Sequence, residues 1–202
     1  MRIHLVYSHP CEESFGSAVH RAALEALRGA GHEVDDLDLY AEGFQAVMSA
    51  DERRGYHEPA AQPAELDGWV RRVQRTEGLV FVYPTWWYGL PAMLKGYLDR
   101  VYRPGLAFHM GGEGAGIQPG LRHVRVFAGV STYGASWLWT RYVGDPGRRT
   151  LMRGIGALCA PNARKRWLAL HRMDDSTPQQ RERFLQRVHA ELSTLAPVAP
   201  KS

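Results

Sequence analysis

Three short segments of this chain hold side chains that would be out of place in plain loops. The first, SHPCEESFGSAVH, starts at Ser8 behind an apolar run and leads into a helical pattern. The unpaired N–H groups and dipole at such a helix start attract an anion. His9, Ser14 and Ser17 add hydrogen-bond donors, and Gly16 lets a ligand approach the backbone. The alternative is structural, with Ser14 as an N-cap and Ser17 in the first helical turn. The second segment, YPTWWYGLP, sets Trp86, Trp87 and Tyr88 side by side. Three consecutive aromatics cannot all enter one core, so this turn faces a flat apolar ligand, a second copy of the chain, or both. The third, VSTYGASWLW, offers Ser131, Thr132 and Gly134 as donors for a polar ring edge, or is an ordinary polar turn.

These segments need a scaffold that brings them together. Short strands at 2–8, 33–39, 79–83, 124–130 and 166–171 alternate with helices at 15–28, 65–76, 90–102, 146–158 and from Pro178 onward. The run LVFVY at 79–83 is apolar throughout, as in a parallel strand covered on both faces. Leu90, Met93, Leu94, Tyr97, Leu98 and Val101 keep helical spacing, with Pro91 suited to the first turn. Asp145-Pro146 reads as a cap and first-turn pair, and Thr177 with Gln180 as a capping box. Residues 103–121 are Gly-rich and read as a long loop.

Five strands separated by helices predict an α/β three-layer sandwich around a five-stranded parallel sheet, a single domain over residues 1–202. The Rossmann order expects G-x-G-x-x-G after the first strand, and that fingerprint is absent here. The flavodoxin-like order 2-1-3-4-5 fits instead. In such sheets ligands bind at the carboxyl ends of the strands, where all three segments fall. A phosphate loop, an aromatic turn and a donor turn on one edge suit a flavin's phosphate and planar ring.

The bulk numbers narrow the alternatives. With 202 residues, 45% of them hydrophobic, the chain can bury a full core. Net charge is +4, spread out apart from Arg148-Arg149 and Arg164-Lys165-Arg166. Nucleic-acid binding calls for a denser basic stripe, whereas a mild positive field favours anionic small molecules. Cys11 and Cys159 lie far apart in no metal-like spacing, so neither a disulfide framework nor a metal site is expected. No apolar run is long enough to span a membrane, and the chain enters its first strand directly from Met1. A cytoplasmic protein without stable membrane insertion is expected.

The motifs SHPCEESFGSA, YPTWWYGLPAMLKGYLDRVYRPGLAF and STYG, in this order, resemble the flavodoxin-like NAD(P)H quinone oxidoreductases. That group includes DT-diaphorase-like enzymes, bacterial quinone reductases and potassium-efflux ancillary proteins, and the likeness covers residues 3–145. The resemblance implies two-electron hydride transfer from NAD(P)H through a flavin, FMN or alternatively FAD, to a quinone or similar acceptor. The flavin carries the chemistry, so no catalytic side chain is assigned. His9, Ser14, Phe15 and Ser17 would contact the flavin phosphate region, Pro84, Thr85, Trp86, Trp87 and Tyr88 the isoalloxazine, and Ser131, Thr132, Tyr133 and Gly134 its pyrimidine edge. Phe108, Met110 and Trp137 would border the substrate pocket, Phe108 often acting from the partner chain of a homodimer. Tyr133 stands where the family often has the first of two glycines, which predicts a narrower pocket or a displaced loop. The chain also offers no equivalent of a family histidine between this turn and Gly144-Asp145. An alternative function within the same resemblance is a flavin-binding regulatory subunit of a membrane transporter of the potassium-efflux type.

Overall fold

Alternation along the strands decides which layer each residue enters, because successive side chains point to opposite faces of a sheet. In the third strand Leu79, Phe81 and Tyr83 join one core cluster, while Val80 and Val82 join the other. The computed structural model describes residues 1–111 and 116–196. Its main sheet contains β1 (Arg2–Tyr7), β2 (Glu33–Asp38), β3 (Gly78–Thr85), β6 (Val126–Tyr133) and β7 (Arg164–Leu170). All neighbours are parallel, in the order β2-β1-β3-β6-β7. Numbered as five successive strands, this is the expected order 2-1-3-4-5.

Helices α1 (Phe15–Gly29) and α7 (Pro178–Ser193) cover one face, burying Val19, Ala23, Leu27, Phe184, Val188 and Leu192. Helices α3 (Asp67–Gln74) and α4 (Ala92–Val101) cover the other with Val70, Val73, Leu94, Tyr97 and Val101. Short helices α2 (Ala50–Arg54), α5 (Trp137–Val143) and α6 (Pro146–Arg149) lie in the connections. The described residues of 103–121 form the expected loop, with one addition. A two-stranded antiparallel pair, β4 (Phe108–His109) with β5 (Gln118–Pro119), closes it. Positions 112–115 of that loop lie outside the described residues.

Several boundaries differ from the expectations, each for a local reason. Strands β3 and β6 run on to Thr85 and Tyr133, so Pro84, Thr85, Ser131 and Thr132 lie inside strands. The helix expected at 146–158 breaks into α6, a π-helical turn at Thr150–Gly154 and a 3₁₀ turn at Ile155–Ala157. Glycines at 147, 154 and 156 weaken continuous α-helix there. Pro91 occupies the N-cap of α4 rather than its first turn, with extended ψ. Asp145 sits at the N-cap of α6 in left-handed backbone and makes no capping hydrogen bond. The Thr177–Gln180 capping box forms as read.

Buried charge ties the layers together. Arg100, on the covered face of α4, meets the Glu52 carboxylate of α2 at 2.9 Å with both side chains buried. His4 of β1 bridges Asp35 of β2 at 2.8 Å and the Tyr97 hydroxyl of α4 at 2.9 Å. Arg72 of α3 reaches the same Asp35 at 2.8 Å, and His20 of α1 reaches Asp36 at 2.7 Å. Burial would raise the Asp35 pKa, but the hydrogen bonds from His4 and Arg72 outweigh it and hold the carboxyl well below its usual range.

Candidate functional site

The first site element is built where β1 hands over to α1. Ser14 caps the helix, its Oγ accepting the Ser17 N–H at 3.1 Å. The N–H groups of Phe15 and Gly16 have no hydrogen-bond partner among the described residues, as expected for the first turn of a helix. The His9 ring stands beside them. Its Nδ1 accepts the Cys11 N–H at 3.0 Å, which leaves the proton of the neutral ring on Nε2. Burial lowers the His9 pKa, favouring this neutral, singly donating form. Cys11 thus acts through its backbone, with its thiol exposed. Beneath this loop the Tyr7 hydroxyl and Ser8 Oγ are buried without hydrogen-bond partners.

The loop has the free donors that an anion such as a phosphate needs. A Cβ on Gly16 would come within 3.3 Å of the His9 ring and 3.4 Å of Ser14 Oγ, so a larger residue would crowd the loop. Two free backbone donors, the His9 Nε2–H and the helix dipole point to one anion. The side chains of two expected contacts turn elsewhere. Ser17 Oγ accepts from Arg21 at 3.0 Å, and the Phe15 ring packs towards Phe184 with the Arg181 guanidinium over it. Phe15 therefore offers the loop its backbone N–H.

The aromatic segment forms a two-residue turn from Trp86 to Gly89, closed by the Gly89 N–H on the Trp86 carbonyl at 3.0 Å. Trp87 and Tyr88 both take left-handed backbone, φ 49° and 60°, the signature of a type I′ turn. Such conformations cost about 1–3 kcal/mol per non-glycine residue and gather at functional sites. Trp87 gains no burial in return, being 96% exposed. The turn is held from outside. Trp139 Nε1 donates to the Tyr88 hydroxyl at 2.6 Å, and the Gly147 N–H to the Tyr88 carbonyl at 3.1 Å. The edge of the Trp86 ring meets His9, their centroids 6.0 Å apart.

An open cleft of about 260 Å³ lies between this turn and the end of β6, lined by Thr85, Trp87, Tyr88, Tyr133, Gly134 and Ala135. Ser131 and Thr132 are buried within β6, and Ser131 Oγ is engaged with Thr85 Oγ1 at 2.8 Å. The Tyr133 ring is buried, stacked on His171 at 4.5 Å, with its hydroxyl donating to Asp145 at 3.0 Å. Tyr133 thus lines the cleft while its ring and hydroxyl are held by His171 and Asp145. Burial and the neighbouring Asp145 carboxylate raise the Tyr133 pKa well above its ordinary value. Phe108 is half-buried against the α4 cluster, Met110 and Trp137 are exposed, and none of the three lines this cleft. Among the described residues no cluster of side chains suits a metal ion.

Sequence reasoning gave Asp145 only a capping role and gave Trp139 and His171 none, yet all three support the site from separate segments. It also passed over helix α5, whose Ser136 cap and Gly144 stop were visible as residue types.

An open parallel sheet of this order, with its clefts at the carboxyl ends of the central strands, is a flavodoxin-like doubly wound protein. The family model described as "Flavodoxin-like fold" matches residues 1–190, and the chain belongs to that family. Among curated relatives, an uncharacterized NAD(P)H oxidoreductase, YcaK, of Escherichia coli is 36% identical over 112 residues, 53% of this chain and 55% of that protein. NAD(P)H dehydrogenase [quinone] 1 of Cavia porcellus is 31% identical over 121 residues, 52% of this chain and 44% of that one. The chain thus spans about half the length of the curated relatives it matches. Among solved structures, NAD(P)H:quinone oxidoreductase from Methanothermobacter marburgensis superposes with TM-score 0.78 at 25% identity, covering 96% of both chains. Smu.1420 from Streptococcus mutans superposes with TM-score 0.83 at 25% identity, covering 96% of this chain and 100% of that one.

Proposed function

We propose that the chain is an FMN-dependent NAD(P)H oxidoreductase acting on quinones or similar acceptors. The observation that carries this reading is one anion cradle and one strained aromatic turn at the same sheet edge, bridged by the His9–Trp86 contact. The names of the relatives support it. FMN, when bound, supplies a two-electron centre between reduced nicotinamide and quinone. The N–H groups of Phe15 and Gly16, with His9 and Ser14, would hold its phosphate. Trp86, Trp87 and Tyr88 would orient the ring and exclude water from one side, above Pro84 and Thr85. The backbone of Tyr133 and Gly134 would meet the polar ring edge, with Ser131 and Thr132 fixing the strand beneath.

The same reading includes a homodimer. Trp87 of the turn and Trp137, Leu138, Trp139 and Tyr142 of α5 are exposed, and Trp139 bonds the Tyr88 hydroxyl, so they offer apolar surface that two-fold pairing would cover. Phe108 and Met110 would then border the substrate pocket from the partner copy. The same reading takes residues 1–202 as a single flavodoxin-like domain working in the cytoplasm; no described helix is long and apolar enough to cross a membrane. The test is extraction and mass identification of the bound cofactor, followed by NADH- and NADPH-dependent quinone reduction by the reconstituted protein. Retained FMN with turnover is the expected result. Protein that binds no flavin and reduces no quinone would refute the reading.

A further inference from the structure

A second cleft, about 560 Å³, is larger than the aromatic one. It lies against the edge strand β7, between that strand and the segment running from α5 through the π-helical turn. Arg141, Arg148, Arg149, Arg153 and Arg187 line it, and its one carboxylate is Asp145. Asp145 already accepts the Tyr133 hydroxyl. None of the five guanidinium groups makes an ion pair or hydrogen bond among the described residues, although other arginines of the chain do. Two of them are pre-positioned on aromatic faces. Arg141 lies 5.8 Å over Trp137, and Arg148 lies 5.9 Å over Trp167. Thr140 also lines the cleft, only 2% exposed, and its hydroxyl has no hydrogen-bond partner.

Guanidinium groups without counter-charge around one cavity repel each other, and two cation–π contacts do not account for a cluster of five. Phosphate oxygens are the natural counter-charge, since the guanidinium fork matches them with paired, charge-assisted hydrogen bonds. A single phosphate is much smaller than this cleft, whose volume is that of a site for a nucleotide-sized ligand. The cleft is also wired to the aromatic turn. Gly147, next to Arg148, donates its N–H to the Tyr88 carbonyl, and Tyr133 lines one cleft while bonding Asp145 in the other.

We propose that this arginine cleft binds the phosphates of the electron-donor dinucleotide and selects the 2′-phosphorylated form, NADPH, over NADH. The inference rests on the oxidoreductase reading. With nicotinamide at the aromatic cleft, the adenosine phosphates extend past Asp145 to the arginines. A third phosphate on the ribose adds charge that only the phosphorylated dinucleotide brings.

Two measurements test this on the full-length protein. Calorimetric titration with adenosine 2′,5′-bisphosphate and with 5′-AMP reads the phosphate site without turnover. The bisphosphate should bind at least 10-fold more tightly than 5′-AMP, weaken as salt rises, and lose at least 10-fold in affinity in the Arg148→Gln/Arg149→Gln double variant. Steady-state kinetics should show kcat/KM for NADPH falling at least 10-fold in that variant, with NADH affected less. A phosphate-free dihydronicotinamide donor should be used equally well by both proteins. Equal affinity for the two adenosine nucleotides, or a double variant that still prefers the bisphosphate, overturns the proposal. If wild type reduces no acceptor with any donor yet binds the bisphosphate through these arginines, the phosphate site stands and the oxidoreductase reading falls. An Arg148→Lys/Arg149→Lys variant, which keeps the charge, should recover part of the affinity and thereby exclude a folding defect as the cause.

Discussion

Replacing Trp87 by glycine should make the cofactor-free protein more stable and the cofactor-loaded protein worse. Trp87 has left-handed backbone and a side chain that is 96% exposed, so its removal forfeits almost no burial. Relief of left-handed strain at one residue is worth about 1–2 kcal/mol. The greater freedom of glycine in the unfolded chain offsets about 0.5–1 kcal/mol of it. The net gain is about 0.5–1 kcal/mol, or about 2 °C in Tm for a chain of this size. Flavin affinity should move the other way. Losing one aromatic stacking partner of a planar ring costs about 1–3 kcal/mol, which weakens Kd about 5- to 150-fold. The assay pairs scanning calorimetry of apoprotein, at concentrations where Tm is constant, with fluorescence titration of FMN. A lower apo Tm would refute the strain argument. An unchanged FMN Kd would remove Trp87 from the cofactor site.

Three other perturbations test the framework. Glu52→Gln leaves the buried Arg100 guanidinium only the exposed Glu65 as counter-charge and should cost about 1–3 kcal/mol, read as a lower urea midpoint at unchanged slope. Helix propensity alone says that Gly96→Ala in α4 stabilises by about 1 kcal/mol. A Cβ there would stand 2.2 Å from the Ala46 carbonyl oxygen, so destabilisation by about 1–3 kcal/mol or more is expected, measured by thermal melting. Asp35 titrates below its unfolded value, so its contribution is full above about pH 4, where the unfolded chain's carboxyl ionises, and fades as pH falls towards the folded pKa. Asp35→Asn should therefore be less stable than wild type at pH 7, by urea melting, and the gap should narrow below pH 4.

The sheet was legible because its signals are local and periodic. LVFVY announced a strand covered on both sides, and Thr177 with Gln180 announced a helix start, and both formed. The stretch from 137 to 158 was not legible. Its aromatics and arginines face solvent and a cleft rather than a core, so no apolar stripe marks α5, and three glycines break the run after it. Residue types likewise advertised donors without saying what engages them. Ser17 and Ser131 carry hydroxyls, yet Arg21 and Thr85 already bond them, and pairings between separate elements leave no trace in spacing. The arginine cleft is the extreme case. Arg148-Arg149 stood out as a basic pair, but Arg187 joins them from a helix packed on the opposite face of the sheet.

The ionic partners of β2 bear on how copies of this chain meet. The sheet ends in an acidic strand, EVDDLD, on one side and a basic one, RKRWLAL, on the other. Two copies meeting through the same edge repel. Opposite edges would attract, and parallel addition of β7 onto β2 has no closing symmetry, so it would grow a filament. Arg72 on Asp35 cancels charge on the acidic edge from within the same chain, and His20 engages Asp36 by a hydrogen bond. The clamps that hold β2 to the helices therefore also blunt the attraction that would string copies together.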